Sequence, residues 1–188
     1  YVMGFFPLIG LITGTLVYGW IYAGKILYVP DISRTLVLII LPVIITGGIH
    51  VDGYMDTCDA LNSYGDREKK LAILKDSHIG AFAVIKLLVY YVLYFAAAFI
   101  VVQKAGNMQI IIMALIFYLS RIISGLAAVN FRGARNNGML HTFTSVTARK
   151  RVNIMLVMQL ILCISCMCMC SIITAIVVVI VAFLVLLY

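Results

Sequence analysis

Residues 152–188 run for 37 positions without a charged side chain. About 20 apolar residues cross a bilayer as a helix, so this stretch predicts two short spans with a break near 168–171. Shorter apolar runs predict further spans at 1–22, 35–49, 79–102 and 108–129. Pro7 lies early in the first span, and Gly10 and Gly14 are spaced for close helix packing. The whole chain is 64% hydrophobic and 11% charged, with a mean hydropathy of +1.14, which a soluble domain of this size does not show. The expectation is an all-α, polytopic transmembrane helical bundle of about six spans, forming one integral membrane domain over residues 1–188. Both ends read as truncated, since Tyr1 already lies in an apolar run and the last run has no polar tail. The first run lacks a basic leader and is too long for a cleavable signal core.

Basic residues set the expected orientation. The polar stretch 50–78 holds four Lys/Arg and 130–151 holds five, whereas the links at 23–34 and 103–107 hold three between them. The first two stretches are separated by two spans and so share a side. The positive-inside rule places both in the cytoplasm, and a net charge of +7 then needs no nucleic acid to explain it. Chemistry falls to these loops and to the span ends. The protein is expected to be a multi-pass component of a bacterial or archaeal cell membrane, with lipid around it. A homo-oligomer is left open.

The stretch 47–61, GGIHVDGYMDTCDAL, stands at the end of a predicted span. It carries Asp52, Asp56 and Asp59, three of only seven acidic residues in the chain. At 100° per residue these three fall within about 60° of one another on a helix, and Asp66 would join them if the helix ran that far. Carboxylates packed this closely repel unless a cation or proton neutralises them. Oxygen donors facing one point suit a hard divalent cation, magnesium first and manganese as the alternative. A solvated charged face is the competing reading. It explains less well why the acids keep helical phase against a span. Gly47 and Gly48 are placed to loosen the helix ahead of them.

Asp76, in KLAILKDSHIGAF, either completes the metal shell or, with Ser77, caps the following helix. Gly80 permits a close approach by backbone or ligand. Arg121 interrupts an apolar span, at a cost of roughly 2.5–3.5 kcal/mol if placed at mid-bilayer. Such a residue faces inward and binds something: a phosphate, which its fork of donors suits, or an aspartate in a structural ion pair. Arg135 has flexible neighbours and can reach a ligand, whereas Arg149, Lys150 and Arg151 read as a membrane anchor. His50, Arg67 and Lys75 complete the set of candidate substrate-binding residues, with a hydrogen-bonded structural role as the alternative for His50 and for His78. Cys163, Cys166, Cys168 and Cys170 lie in an apolar run and read as packing residues, since thiolate zinc sites need loop geometry and deprotonated sulfur.

GGIHVDGYMDTCDAL followed by KLAILKDSHIGAF resembles the cobalamin synthase (adenosylcobinamide-GDP ribazoletransferase) family. FFPLIGLITG, the pair Ser120–Arg121 and ARNNGMLHTF at 134–143 fit in the same order. The resemblance implies a magnesium-dependent membrane enzyme of the late vitamin B12 pathway. There the hydroxyl of alpha-ribazole, or of its 5′-phosphate, attacks adenosylcobinamide-GDP, and GMP leaves. His78 and Ala83 depart from the family, which commonly has Arg and Gly there, and family members continue past the last span into a Gly- and Asp-containing segment.

Two other classes compete. A CDP-alcohol phosphotransferase also has Asp-Gly followed by aspartates, but Tyr54–Met55 stand here in place of its Ala-Arg, and a prenyltransferase has two Asp-rich motifs rather than one. A transporter needs polar residues at mid-span, where this chain offers little beyond Arg121.

Overall fold

A computed structural model gives the fold and describes residues 2–76, 78–131 and 148–187. Every regular element among them is an α-helix, the form in which an apolar segment satisfies its own backbone in lipid. In chain order these are α1 (Val2–Phe5), α2 (Pro7–Ile26), α3 (Asp31–Thr46), α4 (Ile49–Asn62), α5 (Arg67–Ile73), α6 (Ala81–Lys104), α7 (Asn107–Asn130), α8 (Arg149–Cys170) and α9 (Ile172–Leu187).

Four stretches are long and apolar enough to cross a membrane: Val2–Ile26, Ala81–Lys104, Asn107–Asn130 and Arg149–Cys170. The bent pair α3–α4 makes a fifth if it counts as one span. The sixth expected span corresponds to a shorter apolar helix, Ile172–Leu186. The break before it falls at Ser171, whose backbone is extended and whose Oγ accepts the Thr174 N–H at 3.4 Å. The helix ahead of that break is a full 22 residues because it begins at Arg149, within the expected loop.

The chain forms two compact units, Tyr1–Tyr22 with Ala105–Tyr188, and Ala23–Lys104. In the first, α7 and α8 meet around Tyr118, Leu119, Ile122, Cys163 and Met167. Tyr118 donates to Gln159 at 3.0 Å, and Gln159 donates to the Gly4 carbonyl at 2.9 Å, so one half-buried amide ties α1, α7 and α8 together. Cys163 is 1% exposed in this core, and Cys168 and Cys170 pack against it, which is the packing role read from the sequence. Gly10 and Gly14 lie where α2 meets α7. A Cβ there would stand 2.3 Å from the Phe117 carbonyl oxygen and 2.2 Å from that of Ala114. Backbone lies on backbone, as the small-residue spacing predicts.

In the second unit α6 packs on α3 and α4. Helix α3 starts after Pro30, with Asp31 in its first turn, so Arg34 belongs to the helix rather than to the preceding link. Arg34 is 8% exposed, donates to the Asp31 carboxylate and lays its stem on Gly24. Two successive glycines end α3. Gly47 (φ 61°) and Gly48 (φ 76°) occupy the left-handed region, where other residues lose about 1–2 kcal/mol each. The chain turns by 91° there, and α4 leaves carrying the acidic motif.

Candidate functional site

Asp52, Asp56 and Asp59 all lie on α4, so the helical phase read from the sequence is the phase they have. Asp52 is exposed, whereas Asp56 and Asp59 are half-buried. Asn62 ends the helix, so Asp66 does not join this face; it caps α5 by accepting the Lys69 N–H at 2.9 Å.

Asp59 has a partner that the sequence did not reveal. One carboxylate oxygen accepts the Gly80 N–H at 2.7 Å, and the other accepts the Ala83 N–H at 2.8 Å. These N–H groups belong to the start of α6, where the first turn has no intrahelical partners. Gly80 cannot cap the helix with a side chain, so a carboxylate from α4 does so. Gly80 does permit a close approach, and what approaches is the Asp59 side chain.

Asp76 does not cap α6. One of its oxygens accepts the His78 N–H at 3.0 Å and lies 2.5 Å from His78 Nδ1. The backbone N–H and then the ring of His78 hold the Asp76 carboxyl below the ordinary carboxylate range. Asp76 and Asp59 nevertheless line one groove of about 380 Å³, with Gly80, Asn62, Tyr64 and Phe82. Tyr64 is 94% exposed and Phe82 half exposed, so aromatic faces are available at its rim. Behind α4, Tyr54 packs on Tyr90 with ring centroids 5.6 Å apart, and Tyr90 on Tyr94 at 5.8 Å.

The other candidates are more scattered. His50, Arg67 and Lys75 are exposed and do not line this groove. Arg121 sits half-buried on α7, its stem over Gly10 of α2. Arg135 and Ser77 lie outside the described residues.

Among the described residues no three His, Cys, Asp or Glu side chains group closely enough to enclose a metal ion. The donor type still fits magnesium. That ion keeps several waters and is held through one or two carboxylates together with substrate phosphates, not by an all-protein cage. Asp52 and Asp56, one turn apart on α4, would supply such a pair.

The adenosylcobinamide-GDP ribazoletransferase of Lachnoclostridium phytofermentans is 42% identical over 161 residues, 86% of this chain and 60% of that protein. The protein of the same name from Clostridium perfringens is 41% identical over 130 residues, 69% of this chain and 51% of that one. The one from Brevibacillus brevis is 41% identical over 104 residues, 55% of this chain and 38% of that protein. The chain thus spans little more than half the length of the first relatives. No solved structure matches it. The family model for cobalamin-5-phosphate synthase matches residues 1–188, and the chain belongs to that family.

Proposed function

We propose that the protein carrying this chain is a magnesium-dependent transferase acting on adenosylcobinamide-GDP. The hydroxyl oxygen of alpha-ribazole, or of its 5′-phosphate, attacks the cobinamide-side phosphorus. The bond from that phosphorus to the bridging oxygen breaks, GMP leaves with this oxygen, and the hydroxyl proton passes to solvent. The product is adenosylcobalamin, or its 5′-phosphate. Family membership over residues 1–188 carries this reading.

The site chemistry supports it. Phosphoryl transfer asks a protein mainly for positioning and charge neutralisation. Asp52 and Asp56 would hold the cation, which when bound neutralises charge on the phosphate oxygens. Arg121 offers a two-pronged donor set to the same class of oxygen. The test is to incubate the full-length protein with magnesium, adenosylcobinamide-GDP and alpha-ribazole or its phosphate. Stoichiometric GMP and a cobalamin product are expected. Turnover of the first substrate without joining to the second would overturn the proposal.

The apolar helices mark a membrane protein. We infer a cytoplasmic location for the acidic helix from nine Lys/Arg in 50–78 and 130–151 against three in the two links. Tyr28 and Tyr64, 92% and 94% exposed, bracket the bent pair α3–α4. With Tyr64→Cys, an impermeant thiol reagent should label from the cytoplasmic side only, and with Tyr28→Cys from the opposite side only. Labelling of both from one side would make α3–α4 a re-entrant loop rather than a broken span.

A further inference from the structure

We infer that Asp59 is a positioning residue, and that it serves by clamping the start of α6 onto the acidic helix instead of ligating the cation. This rests on the proposal that Asp52 and Asp56 hold the metal. Both Asp59 oxygens receive backbone N–H groups at 2.7 and 2.8 Å, from residues 21 and 24 positions further along the chain. Hydrogen bonds to an ionised group are stronger than those between neutral groups, and a carboxylate also complements the positive end of a helix.

The joint leaves no room for a substitute at its other half. A Cβ on Gly80 would stand 2.6–2.7 Å from the Asp59 carboxylate carbon and both oxygens. Small or compact residues close the contact on either side: Cys58 is 9% exposed, Ala60 5% and Ala83 1%. Asp59 and Gly80 both line the groove that Asp76 also borders. The clamp therefore sets the spacing between α4 and the segment ending at Gly80, and so the shape of that groove. A displacement of about 1 Å at such a place can cost roughly a hundredfold in rate.

Gly80→Ala separates clamp from ligand because it breaks the joint and removes no charge. In the full-length protein, Gly80→Ala and Asp59→Ala should each lower kcat by roughly ten- to a hundredfold. The double variant should be no worse than either single one, because both remove the same contact. Manganese binding, measured without substrate by electron paramagnetic resonance, should stay within about twofold of the parent in each, as should the magnesium concentration giving half-maximal rate. Amide exchange at Gly80 and Ala83 should quicken. Asp59→Asn keeps one acceptor and should fall between the parent and Asp59→Ala. The inference is overturned if Asp59→Asn weakens manganese binding tenfold or more while Gly80→Ala leaves binding and kcat intact, which would make Asp59 a ligand. It is overturned too if both variants lower only the melting temperature and leave kcat in the cold unchanged. Unchanged manganese binding in Asp52→Asn and Asp56→Asn would instead refute the metal assignment. Amide exchange would still report the clamp.

Discussion

Asp52→Asn and Asp56→Asn should each lower magnesium-dependent turnover of the full-length protein by roughly a hundredfold or more. Asparagine keeps the size of the side chain and removes the charge. A cation on phosphate oxygens contributes several kcal/mol to the transition state, and each 1.36 kcal/mol is tenfold in rate. Both residues sit on α4, one exposed and one half-buried. Asp59 meets the α6 backbone, Asp66 caps α5 and Asp76 meets His78. The loss should be partly recovered at high magnesium, because substrate phosphates also bind the ion. In Asp52→Asn the melting temperature should hold or rise, since removing one of two neighbouring like charges relieves repulsion. Steady-state rates against magnesium concentration, read beside a detergent melt, decide the matter. Parent-like turnover in both variants would remove the metal from α4.

Much of this arrangement was legible in the sequence because it is local. Three aspartates at spacings of four and three share a helix face whatever else the chain does. Gly47–Gly48 announced a break because only glycine takes consecutive left-handed conformations cheaply. Gly10 and Gly14 announced a close backbone contact for the same kind of reason: a helix face without Cβ atoms invites a neighbour. The Asp59 clamp was not legible, because its partners lie 21 and 24 residues away and are backbone groups that leave no trace in residue type. The one available sign was Gly80 at the start of an apolar helix, a cap position with nothing to cap it. Arg34 reads as part of the link before α3 because a charge reads as the end of a span. Pro30–Asp31 was the stronger signal, since proline and an acid suit a helix start.

Arg121→Met should abolish or strongly reduce turnover while leaving the protein as stable as before or more so. All seven acidic residues lie between Asp31 and Asp76, within the unit 23–104, and the unit that carries Arg121 has none. Arg34 pairs with Asp31 and Asp76 with His78 inside the unit 23–104. An arginine in an apolar helix costs roughly 2.5–3.5 kcal/mol at mid-bilayer. Methionine fills much of the space over Gly10 and removes that cost. A charge kept at a stability cost has to be used, and its fork suits the phosphate oxygens of the proposed substrate. Arg121→Lys keeps the charge but loses the two-pronged geometry. It should weaken adenosylcobinamide-GDP binding or slow its turnover by roughly ten- to a hundredfold, the equivalent of about 1.4–2.7 kcal/mol. A structural ion pair predicts the reverse: loss of one partner of a buried pair costs about 3–5 kcal/mol, so Arg121→Met would melt far earlier and Arg121→Lys would keep near-normal kinetics. Normal kinetics in Arg121→Lys together with a collapsed melting temperature in Arg121→Met would therefore rule out the phosphate role.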